Sequence, residues 1–117
     1  MAVIIKTSKP SELLAAIKKS IDTKKIETWS YDSDGDFTHT PEQWKNKAWL
    51  RVRPSASGTE LKFGIIGRKD IKLSKLIYAV YHGRFIEMLL THFDNDFSEA
   101  NATASAISGI DVIPKVD

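Results

Sequence analysis

Two short segments of strict alternation, 48–53 and 59–66, constrain this chain more than any other feature. In an extended strand successive side chains point to opposite faces, so Leu50 and Val52 leave one side while Trp49, Arg51 and Arg53 leave the other. The second segment repeats the pattern, with Leu61, Phe63 and Ile65 on one side and Glu60, Lys62, Gly64 and Ile66 on the other. Pro54 ends the first strand and residues 55–58 supply a turn. The pair is a hairpin with one apolar face and one mixed, basic face, and the apolar face needs a cover.

Two helical stretches provide it. After Gly67, Asp70 or Ser74 is placed to cap a helix running to about Phe93, roughly 20 residues and 30 Å long. Ile77, Tyr81, Phe85, Met88 and Leu89 form its main stripe, and Leu76, Val80, Ile86 and Leu90 widen the apolar sector enough to imply contact on two sides. An earlier helix opens with Ser8 as cap, Pro10 and Glu12. Its stripe is Leu13, Leu14, Ile17 and Ile21, with Lys18, Lys19, Lys24 and Lys25 on the solvated side or at the end.

The remaining strands are shorter. Residues 2–6 read as a strand, and residues 26–40 as a hairpin in which Asp34-Gly35 forms a two-residue type I′ turn. That turn sets Tyr31 opposite Thr38 and Trp29 opposite Thr40. A short helical turn carrying Trp44 follows Pro41. The expected fold class is α+β: a two-layer sandwich with a mainly antiparallel sheet of about five strands and two helices on one face. Residues 1–97 make one domain, and residues 98–117, rich in Ala, Ser, Thr and Gly, make an irregular C-terminal segment. Ile4 or Ile5, Leu14, Ile17, Ile21, Leu50, Val52, Leu61, Phe63, Ile65, Ile77, Tyr81, Phe85 and Leu89 are the expected core.

Composition narrows the function classes. A chain of 117 residues without cysteine excludes disulfides, zinc ribbons and thiolate catalysis. No apolar run approaches the ~20 residues of a membrane span, and the N-terminus lacks a signal-peptide pattern, so a cytoplasmic protein with no membrane partner is expected. The net charge of +2 conceals an asymmetry: residues 45–84 carry ten Lys/Arg against two Asp/Glu, and residues 85–117 carry one against six. Either the basic middle binds an anion, or the two segments neutralise one another in the fold or across a dimer.

Catalytic and metal signatures fail on spacing. Asp32, Asp34 and Asp36 alternate around Gly35, but an EF-hand loop needs its glycine sixth and a bidentate glutamate twelfth, where this chain has Gly35 fourth and Gln43 twelfth. No metal is expected. Residues 64–67 share the spacing of the GXXG loop of KH domains, yet that loop joins two helices and these glycines belong to a strand. No nucleotide-binding loop, nucleophile elbow or zinc-helix motif occurs, so neither a catalytic residue nor a cofactor is assigned.

The richest constellation is Trp49, Arg51 and Arg53 on one strand face beside Lys62, with Trp44 nearby. Tryptophan and arginine anchor protein interfaces and also stack on bases and neutralise phosphates. The leading expectation is a non-enzymatic interaction module, a homo-oligomer in the form of a twofold dimer or a binder of a protein partner, working through this open sheet face. The alternative is a nucleic-acid-binding module using the same face. A weaker alternative is a small enzyme with a pocket near Tyr78, His82, Arg84 and Glu87. A third reading of the face is structural: Trp49 covered by the C-terminal segment or the Trp44 loop, and the arginines paired to acids.

Overall fold

In the computed structural model, which describes residues 1–55 and 57–115, the alternating hairpin forms as its pattern requires. Strands β4 (Ala48–Arg53) and β5 (Glu60–Gly67) pair antiparallel, with Leu50 opposite Ile65 and Val52 opposite Phe63 on one face. Strand β1 (Ala2–Lys6) pairs with the other edge of β5, placing Val3 opposite Phe63 and Ile5 opposite Leu61 on the same face. Helix α1 (Pro10–Asp22) and helix α2 (Lys75–Phe93) clothe that face: Leu13 and Ile17 join Ile77, Tyr81, Phe85, Met88 and Leu89 in one buried cluster with the sheet. Strands β2 (Trp29–Tyr31), β3 (Phe37–His39) and β6 (Glu99–Ala102) complete one antiparallel sheet ordered β2-β3-β4-β5-β1-β6. The molecule is an α+β fold with six strands and two helices among the described residues, one strand more than expected.

The extra strand corrects the reading of the C-terminal segment. Glu99–Ala102 pairs antiparallel with β1, Val3 opposite Ala102 and Ile5 opposite Ala100. Farther on, Val112 donates to the Ile65 carbonyl at 2.9 Å and accepts from the Gly67 amide at 2.8 Å, a parallel bridge that extends the sheet past the start of β1. Ala-rich, weakly periodic sequence gave no local sign of either pairing, because both are set by the free edges of β1 and β5.

The first hairpin forms one residue out of the expected register. Trp29 faces His39 and Tyr31 faces Phe37. The loop is longer than two residues: the Asp32 side chain accepts from the amides of Asp34 and Asp36, each at 3.0 Å, Gly35 N–H donates to Asp32 O, and Gly35 takes φ of 81°. A type I turn followed by a left-handed glycine makes a three-residue loop. A one-residue slip exchanges faces, and here it turns Trp29 and Phe37 into the core. They are 1% and 0% exposed, packed edge to face against Phe85. The cap of α1 also differs. Lys9 occupies the cap position without a side-chain bond, and Thr7 rather than Ser8 contributes a hydroxyl, accepting from the Lys9 amide. Of the two candidates for the cap of α2, Ser74 takes the position, accepting from the Ile77 amide at 3.1 Å.

Candidate functional site

With one face of the sheet covered by helices, the other presents its side chains in rows, since directly paired residues project on the same side. Trp49 is opposite Ile66, and Ile66 is bridged to Val112, giving an apolar row across β4, β5 and the C-terminal segment. Trp49 and Ile66 are half-buried, and Val112 is 44% exposed with Ile113 beside it at 39%. The next row is Arg51, Gly64 and Ala2, and the one after it Arg53, Lys62, Ile4 and Asn101. Alternation on β4 and β5 thus brings four of the expected site residues, Trp49, Arg51, Arg53 and Lys62, onto one surface.

Trp44 is not among them. The turn after Pro41 carries it to the helical layer, where it packs against the core cluster and its carbonyl accepts the Tyr81 hydroxyl. That hydroxyl also meets Thr38 Oγ1 at 3.0 Å, so the Trp44 loop is pinned to α2.

The two arginines are held by the protein itself. Arg51 donates from Nε and Nη2 to the two carboxylate oxygens of Asp36, at 2.9 and 2.8 Å, a bidentate pair with the aspartate buried. The bonds to Asp36 raise the already high pKa of Arg51 against a partial loss of solvent, so its charge is fixed and matched. Arg53 donates from Nε to the Ile110 carbonyl at 2.9 Å. That carbonyl lies directly over Gly64, where a Cβ would stand 2.0 Å from it. Asp111, next in the chain, accepts from the amides of Ile65 and Ile107, both at 2.8 Å. The C-terminal segment is therefore fastened across β5 through Arg53, Gly64 and Asp111. Gly64 and Asp111 escaped sequence reasoning, although a glycine inside an alternating strand is the usual sign of a close backbone approach.

The three aspartates of the first hairpin bring carboxylate oxygens within 4.8 Å of one another. Asp36 is already committed to Arg51, and Asp32 to two loop amides, which is the chemistry of a closed turn. The residues grouped around His82 part to two sides of α2. His82 is buried, with Nδ1 2.6 Å from the Tyr78 carbonyl and Nε2 against the Met1 carbonyl, whereas Arg84 and Glu87 pair with each other on the exposed side of α2. Burial lowers the pKa of His82 and outweighs the two carbonyls that favour its protonation. His39 is lowered for the same reason, against the Thr28 carbonyl that raises it. A groove of about 520 Å³ beside the end of β1 is lined by Lys6, Thr7, Ser8, Thr59, Asn95 and Asp96, among other residues, rather than by a histidine. No helix among the described residues is long and apolar enough to cross a membrane. Comparison with protein-family models, curated proteins and solved structures returns no match to this chain.

Proposed function

We propose that this chain is a non-enzymatic interaction module that docks a protein partner on the outer face of its sheet, with Trp49, Ile66 and Val112 as the contact row and Arg53 and Lys62 two rows along the same face. The observation that carries this reading is the apolar row itself: three large side chains abreast on the face opposite the helices, kept partly open to water although the C-terminal segment crosses close by. Aromatic and aliphatic anchors with polar groups beyond them are the usual make-up of a protein-binding centre. The same geometry weighs against the nucleic-acid alternative, because Arg51 is neutralised by Asp36 and part of the Arg53 guanidinium is engaged by Ile110. A chain free of cysteine is compatible with work in the cytoplasm on this reading.

The test compares two probes on the same protein. A random 12-residue peptide library selected on the full chain should yield binders whose affinity is lost in Val112→Asp and changes little with salt. Single- and double-stranded oligonucleotides should bind weakly at low salt. Tight oligonucleotide binding that falls steeply with salt and is lost in Arg53→Ala and Lys62→Ala replaces the proposal with the nucleic-acid reading.

A further inference from the structure

The outward side of α2 is a second apolar surface, in the layer opposite the outer sheet face. Leu76 and Leu90 are the most exposed large hydrophobic side chains among the described residues, at 63% and 56%. Leu76, Gly83 and Leu90 recur at a heptad interval, so they lie on one side of the helix together with Val80. Gly83 is the midpoint of this pattern. Nothing stands within 4 Å of the place a Cβ would take there, so packing inside one copy does not call for glycine. Glycine is also the poorest helix former after proline. A shallow notch of about 330 Å³ lies there, lined by Ala79, Val80, Gly83, Arg84 and Glu87.

The charges at the two ends of α2 run against its own dipole. A helix N-terminus favours carboxylates and a C-terminus favours cations. Yet the first turn of α2 holds no acidic residue and starts with Lys75 after Lys72, with Asp70 before them paired to Arg68, while its last turn carries His92 and its end is closed by Asp94 and followed by Asp96. A copy of the same helix laid antiparallel alongside brings an acidic end to each basic end.

We propose that this face of α2 is a homodimer interface, in which two copies pack α2 antiparallel about a twofold axis at Gly83. The axis sets Leu76 against the partner's Leu90, with the glycine notch allowing the helices to approach closely at the crossing. Lys72 and Lys75 then flank the partner's Asp94. Because the helices cover the inner face of the sheet, the dimer leaves both outer faces turned outward, and a single assembly offers two docking surfaces. This assignment rests on α2 alone and stands or falls separately from the role of the sheet.

Sedimentation equilibrium on the full chain between about 1 and 200 µM decides it, with a dimer constant expected in the micromolar range. Leu90→Glu changes a side chain that is exposed in one copy, so it should keep its circular dichroism and weaken association at least about tenfold. Lys75→Glu and Asp94→Lys, each more favourable to the helix dipole, should melt no lower as single copies but should each weaken the dimer. Combining them should restore it. A wild-type monomer at about 200 µM overturns the proposal. So does a dimer that survives Leu90→Glu, one that dissolves only in Trp49→Ala, or a charge-swapped double variant no tighter than its parents.

Discussion

On the inner face of the sheet, Trp29, Phe37, Phe63, Tyr81 and Phe85 lie ring against ring without reaching water, with Phe63 and Phe85 centroids 4.8 Å apart. On the outer face, Trp49, Ile66 and Val112 stay partly wet, and the two arginines of β4 are each held: Arg51 by Asp36 and Arg53 by a backbone carbonyl. Both faces arise from the same two-residue alternation of β4 and β5. What separates them is cover. The helices supply a continuous apolar layer to one side, and a narrow strap of C-terminal chain crosses the other. Stability therefore concentrates on the inner side, while the outer side is the one proposed to take a partner.

The largest effect that sharpens this contrast is Phe85→Ala. The ring is fully buried against Trp29, Phe37 and Phe63 of the sheet, so its removal should cost about 3 to 5 kcal/mol in denaturant melts. A loss below about 1 kcal/mol would place the weight of the core elsewhere. Next comes Gly64→Ala on the outer face. Its new methyl meets the Ile110 carbonyl, a backbone atom that has to move, and a cost of about 1 to 3 kcal/mol is expected. Amide exchange should quicken at Ile65, Gly67 and Val112 in that variant, since the bonds of the strap loosen first; unchanged exchange would show that the strap is not held there.

A smaller effect belongs to the inner side and to pH. Burial holds the imidazoles of His39 and His82 below their ordinary value near 6.5. Just below that pH the unfolded chain binds protons that the folded chain refuses, so stability is full above about pH 6.5 and declines as pH falls beneath it. Denaturant midpoints should be lower at pH 5.5 than at pH 7.5, with His82→Gln reducing the difference. A midpoint that rises on acidification would mean that the carbonyls around these rings, not burial, govern them.

The contrast between faces was legible where the pattern is local. Alternation at 48–53 and 59–66 named Leu50, Phe63 and Ile65 for the inside and Trp49, Arg51, Arg53 and Lys62 for the outside. The stripe of α2 could likewise be read directly, and its cap down to two candidates, Asp70 and Ser74, of which Ser74 takes the position. It failed where one side chain rewrites the backbone. Asp32 closes a longer loop than Asp34-Gly35 suggests, and the resulting slip decides that Trp29 and Phe37 belong to the core. It failed again where the partner is distant in sequence. Trp44 docks on Tyr81, Arg53 reaches Ile110, and β6 completes the edge of β1, none of which has a local signature.

Trp49→Ala, followed in parallel for stability and for peptide binding, tests most directly whether the outer row is kept for a partner. The account predicts a stability loss smaller than that of Phe85→Ala, about 1 to 2.5 kcal/mol, because the residue stays partly open to water, together with at least a tenfold loss of affinity for peptides selected on the wild-type chain. A loss of about 3 kcal/mol or more, matching Phe85→Ala, with peptide affinity unchanged, would contradict it and make the outer row a second core.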